Sequence, residues 1–75
     1  MTDRIRSAVK LGEHRAHLGL SYARLGERWG FDAAQLCRWE TGASRPNPDN
    51  AARVEALSWG YVDALGWGLK VRAKE

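Results

Sequence analysis

The chain has a single cysteine, so it can form no internal disulfide, which fits a reducing cytoplasm. It has no apolar run near the ~18 residues that a membrane span needs. The opening residues Met1-Thr2-Asp3-Arg4-Ile5-Arg6 contain no apolar h-region, so no signal peptide is expected. There are two prolines, both between Pro46 and Pro48, which leaves long uninterrupted stretches free to be helical. No repeat or low-complexity segment is visible. No nucleophile–base pair or metal-ligand set is spelled either, so an enzyme is not expected. His14 and His17 stand three residues apart on one helix, but two ligands without a cysteine or carboxylate set make a poor zinc site. They read as surface histidines, and no metal or cofactor is expected.

What is present is basic and arginine-rich. Twelve Lys and Arg against nine Asp and Glu give a net charge of +3 in 75 residues, and the basic residues are nine Arg to three Lys. The guanidinium fork suits phosphates and guanine edges. Hydrophobic residues make up 44%, enough for one small core, and a chain this short gains stability cheaply by dimerising.

The periodicity predicts an all-α chain of four or five short helices. Helix 1 is expected over Asp3–Leu18, with Ile5, Ala8, Val9, Gly12 and Ala16 on one face and Gly19 as its stop. Ser21 is a good N-cap for a helix over Tyr22–Trp29, whose inner face is Leu25, Gly26 and Trp29. Gly30 ends it, and Phe31 plugs the turn. Asp32 then caps a helix over Ala33–Thr41, with Gln35 placed to answer as in a capping box and Leu36 and Trp39 pointing inward. Gly42 stops it, and Asn47-Pro48 starts helix 4. Val54, Leu57, Tyr61 and Leu65 continue a helical stripe that Gly60 could divide into helices 4 and 5.

The tail switches to period two: Trp67, Leu69, Val71 and Ala73 alternate with Gly68, Lys70, Arg72 and Lys74. This predicts a C-terminal strand or arm over residues 67–75 beside a main domain over residues 1–66. With no strand partner expected elsewhere in the chain, it should pair with its twin in a second subunit. Trp67, Leu69 and Val71 with Trp59, Tyr61 and Leu65 are therefore the expected dimerisation set. Trp59 and Trp67 suit a core equally well.

The two helices over residues 21–42 joined by a tight turn are the form in which small proteins place a helix in the major groove. From Leu11 to Leu57 the chain resembles the XRE-like helix-turn-helix family of phage Cro proteins and repressors. The residues that carry the resemblance are Leu11, Arg15, Gly19, Leu20, Ser21, Leu25, Gly26, Trp29, Gly30, Phe31, Leu36, Trp39, Glu40, Gly42 and Pro46, ending at Ala56-Leu57. There are three departures from the family pattern. Tyr22 stands for a Gln, Gly26 for an Ala, and Ala33 and Ala34 for polar base readers.

The resemblance implies a lambda-repressor-like bundle that regulates transcription, as a repressor, by binding a pseudo-palindromic operator in double-stranded DNA as a homodimer. It places Ala33, Ala34, Gln35, Cys37 and Arg38 toward base edges. Arg38 is the best candidate for guanine, and the alanines for thymine methyls. Gln35 either takes adenine or only answers the cap. Cys37 reads as a small neutral filler, with redox sensing the weaker alternative. Ser21, Tyr22, Ser44 and Arg45 are placed for phosphates. Arg15 and Glu40 match a family pair that links helix 1 to helix 3 as an internal ion pair. Family members of this size include phage or mobile-element repressors, ranked first here, restriction-modification controllers and antitoxins. The rival reading is an antitoxin-type interaction module whose main surface binds a toxin, with DNA binding secondary.

Overall fold

The computed structural model describes the backbone of residues 2–73. The element order is β1 (Thr2–Ile5), α1 (Arg6–Leu18), α2 (Tyr22–Trp29), α3 (Ala33–Thr41), α4 (Pro48–Leu57), a 3-10 segment (Ala64–Gly68) and β2 (Lys70–Ala73). The chain is mostly helical with one two-stranded sheet.

The middle of the chain follows its local signals. Ser21 is extended, and its Oγ accepts from the Arg24 amide at 3.2 Å, which starts α2. Gly30 ends α2 at φ +80°, a conformation open to glycine at no steric cost. Asn47 caps α4 by accepting from the Asn50 amide at 2.8 Å, and Pro48 follows at the first helical position. At Asp32 the sequence expectation fails. It is extended and precedes α3, but its side chain accepts no capping bond, so the box with Gln35 is not formed.

Both chain ends depart from expectation, for one reason. Helix 1 was expected from Asp3, but Thr2–Ile5 is a strand that pairs antiparallel with Lys70–Ala73. The register sets Asp3 opposite Arg72 and Ile5 opposite Lys70, and Asp3 and Arg72 approach to 3.7 Å. The Arg6 amide extends the contact by donating to the Leu69 carbonyl at 2.8 Å. No side chain caps α1 at Ile5, and β-branched Thr2 and Ile5 sit more easily in a strand. The expectation that the tail has no partner in its own chain is thereby overturned.

The tail strand begins at Lys70 and not at Trp67, which lies in the 3-10 segment and is buried. Leu69 is extended and 46% exposed, and Val71 is half-buried. The side chain of Ala73, with all of Lys74, lies outside the described residues.

The core is Ala8, Leu11, Leu25, Trp29, Leu36, Trp39, Ala51, Val54, Val62 and Trp67. Trp39 is at its centre, meeting Phe31 edge-on at 5.1 Å between ring centroids and Trp67 at 6.5 Å. The buried face of α1 is Ser7, Ala8 and Leu11, rotated from the expected one, and Ala16 is exposed. Ser7 can be buried because its hydroxyl donates to the Asp63 carbonyl at 2.6 Å, while Arg6 pairs with the Asp63 carboxylate. The stripe expected through Tyr61 and Leu65 is broken after Leu57. Val62 turns inward instead, with its amide bound to the Ser58 hydroxyl at 3.0 Å.

Candidate nucleic-acid interface

Residues 30–32 join α2 to α3, and the two helices approach closely at that corner. A Cβ added at Gly26 would collide with the backbone carbonyl of Phe31. That oxygen itself receives no slack, because the Phe31 and Gly30 amides are both bound to the Gly26 carbonyl, at 3.0 and 2.7 Å. Glycine at position 26 is therefore what lets the turn close so tightly.

Arg53 braces the same corner from α4. Its Nη2 donates to the Trp29 carbonyl at 3.3 Å, and its guanidinium carbon lies 4.5 Å from the Phe31 ring centroid. The sequence reading missed Arg53. Its contact spans 24 residues and leaves no local signal.

α3 buries Leu36 and Trp39 and exposes Ala34, Arg38 and Thr41. Those three fall at helical spacing on one outward line. Ala33, Gln35 and Cys37 are half-buried on its flanks. Among the described residues no carboxylate pairs with Arg38 or Arg45, and both are exposed. The loop after α3 is held back onto the helix, with the Ser44 amide donating to the Arg38 carbonyl at 3.2 Å and the Thr41 hydroxyl to the same oxygen at 3.3 Å. Ser44 is half-buried.

Arg15 and Glu40 are brought together. Arg15 Nε donates to Oε2 at 2.8 Å and Nη2 to Oε1 at 3.1 Å, a bidentate pair between α1 and α3. A third bond runs from Arg15 Nη1 to the Leu20 carbonyl at 2.9 Å. The pair is partly covered, with side-chain exposures of 24% and 16%. The Glu40 hydrogen bond raises the Arg15 pKa further.

Tyr22 belongs to this cluster: the Arg15 guanidinium carbon sits 4.3 Å from its ring centroid. Burial first, and then the Glu40 carboxylate, push the Tyr22 hydroxyl pKa up. The Ser21 hydroxyl oxygen is engaged in the cap of α2, and its own hydrogen remains free to donate outward.

The expected dimerisation set is scattered. Trp67 is in the core, Leu69 precedes β2, Val71 lies within it, Trp59 is 95% exposed and Leu65 is 80% exposed. Tyr61 is 43% exposed and donates to Glu13 at 2.8 Å. The two histidines also part company. His17 is exposed, whereas His14 is half-buried, with the Trp29 and Tyr61 rings each stacked 5.8 Å from it.

No described helix is long and apolar enough to cross a membrane. Comparison with family models, with curated proteins and with solved structures returns no match.

Proposed function

We propose that this chain is a sequence-specific DNA-binding regulator, a cytoplasmic transcriptional repressor with a lambda-repressor-like helix-turn-helix unit that inserts α3 into the major groove. The observation that supports this most is the outward line Ala34, Arg38 and Thr41 on a short helix braced at both ends. Arg38 on that line and Arg45 just beyond it are exposed and have no carboxylate partner among the described residues. A short helix with an exposed arginine fork at its centre fits the groove and the guanine O6/N7 edge.

Each site residue then has a role. Arg38 reads guanine, Ala33 and Ala34 contact thymine methyls, and Gln35 and Cys37 border the bases. Arg45, Ser44, Ser21 and the start of α2 at Tyr22 take phosphates. Arg15 and Glu40 hold α3 to α1. The operator is a two-fold repeat read by two copies of the chain, and a phage or mobile-element repressor is the preferred subclass. The rival toxin-binding reading rested on the Trp- and Gly-rich tail. Part of that tail is used within its own fold, where Trp67 fills the core and β2 pairs with β1, which weakens the support for that reading.

The test is selection of duplexes from a random pool, followed by titration of the selected site at several salt concentrations. Each phosphate contact contributes about −0.9 to the slope of log K against log salt. Arg38→Ala costs roughly 1–3 kcal/mol at one base pair per half-site, whereas Arg45→Ala weakens all sequences alike and flattens the salt slope. Equal loss on selected and random DNA in Arg38→Ala, or salt-independent binding, defeats the assignment.

A further inference from the structure

Arg53 lies on α4, beyond the segment 21–45 that carries the proposed DNA contacts. Asp49 precedes it on the same helix at the i, i+4 spacing of an ordinary surface ion pair. The guanidinium does not take that partner: among the described residues no carboxylate pairs with Arg53. It reaches instead to the corner between α2 and α3, where Nη2 donates to the Trp29 carbonyl at 3.3 Å. Its guanidinium carbon lies 4.5 Å from the Phe31 ring centroid, and a Cβ added at Gly30 would lie 3.5 Å from the same Nη2. Three successive residues of the corner thus meet one side chain from another helix.

The Trp29 carbonyl has need of that donor. It belongs to the last residue of α2, where carbonyls have no partner further along the helix. The Gly30 and Phe31 amides both go to the Gly26 carbonyl, at 2.7 and 3.0 Å, and leave the Trp29 oxygen to Arg53. A cation there also faces the negative end of the α2 dipole.

We propose that Arg53 is a positioning residue for base recognition: it touches no base, and it fixes the angle at which the start of α3 enters the groove. α3 is held near its far end by the Arg15–Glu40 pair. Without Arg53 its start is free to pivot about that end. At ~1.5 Å per residue, Ala34 stands about 9 Å along the helix from Glu40. A pivot of roughly 10° carries Ala34 about 1.5 Å, and a gap of ~0.5–1 Å already forfeits much of a methyl contact. Gln35 moves with it, whereas Arg38, close to the held end, moves least. The loss therefore falls on the base pairs facing Ala33, Ala34 and Gln35. This consequence rests on the proposed DNA-binding function. The brace on the corner does not.

The test has two arms, on the native chain, Arg53→Met and Arg53→Lys. Without DNA, amide hydrogen exchange at Gly30 and Phe31 should quicken about tenfold or more in Arg53→Met, while the Leu25 and Ser58 amides keep their native rates. The thermal midpoint should fall by no more than about 4 °C, since Arg53 is exposed. With DNA, affinity for the selected duplex should fall about tenfold, with random DNA and the salt slope unchanged. Single-base variants of the duplex should place that loss opposite the start of α3 and not at the guanine read by Arg38. Arg53→Lys keeps the charge without the flat fork and should lie between the other two in both arms.

Unchanged exchange at Gly30 and Phe31 in Arg53→Met overturns the proposal. So does exchange that quickens equally in every helix, which makes Arg53 general packing. Equal loss on selected and random DNA, with a salt slope flatter by about 0.9, makes it a phosphate contact and overturns the proposal as well. A native chain that selects no duplex defeats the DNA-binding reading and this role with it, whereas the exchange arm still decides the brace.

Discussion

Removal of either half of the Arg15–Glu40 pair should destabilise the fold, and the two halves should not cost the same. Breaking a fully buried pair by deleting one partner costs about 3–5 kcal/mol. Here the side chains retain 24% and 16% exposure, so water can reach the stranded group and the cost is smaller. In Glu40→Ala, Arg15 loses its two carboxylate bonds but keeps the Leu20 carbonyl and the Tyr22 face. A loss of about 2 kcal/mol follows from charged hydrogen bonds worth about 1.5–3 kcal/mol.

Arg15→Ala removes all of those contacts and leaves the carboxylate beside the Tyr22 hydroxyl, so about 3 kcal/mol is expected. In a chain of this size each kcal/mol moves the thermal midpoint by about 4–8 °C. Glu40→Ala should therefore melt about 8–16 °C lower, and Arg15→Ala lower still. Urea titration of both single variants and the double variant should return a coupling of at least about 1 kcal/mol. If Arg15→Ala costs no more than Glu40→Ala, or if Glu40→Ala melts normally but changes DNA preference, then Glu40 is not a structural residue and the reasoning is wrong.

Two further outcomes are expected. Gly26→Ala would ordinarily gain up to about 1 kcal/mol in a helix interior, but the collision with the Phe31 carbonyl reverses the sign to a loss of about 1–3 kcal/mol. A higher midpoint in this variant would show that the corner is looser than described. Burial first, and then neighbouring His17, hold the His14 pKa below its ordinary value of 6.5. Between that value and the lower folded one the unfolded chain binds the extra proton. The His14 contribution to stability is thus complete above pH 6.5 and is lost as pH falls through the folded pKa. An NMR titration of the His14 ring with a midpoint at or above 6.5 would contradict this.

What the sequence disclosed and what it hid divide along one physical line. The span of α2, the span of α3 and the start of α4 are written in residues one to four positions apart. Ser21 before Arg24, Gly30 in the left-handed region and Asn47-Pro48 each act on their own neighbours. The bidentate contact of Arg15 with Glu40 crosses 25 residues, and only the resemblance proposed it.

The sheet was hidden because its strands lie at opposite ends of the chain, and no local pattern at Thr2–Ile5 announces that Lys70–Ala73 will arrive. Trp67 misled for a related reason. Its place in an alternating run matched a strand, but a large ring gains more by filling the space against Trp39 than by extending a two-stranded edge. Likewise Tyr61 and Leu65 continued a helical stripe on paper. The chain reverses at Trp59-Gly60, and Val62 takes the inner position.

The composition of α3 sets a requirement on the proposed function. On the proposed reading its outward line offers one base-reading arginine, Arg38, between Ala34 and Thr41. A bidentate arginine–guanine contact discriminates by about 1–3 kcal/mol, and alanine–methyl contacts add less. Specific regulators exceed their own non-specific binding by about 4–10 kcal/mol. One copy of this helix therefore falls short, while two copies on adjacent half-sites roughly double the discrimination and bring it into that range. On this reasoning the native chain binds a two-fold site far more tightly than an isolated half-site. Equal affinity for the two sites would show that one copy reads the DNA alone, against the two-fold reading.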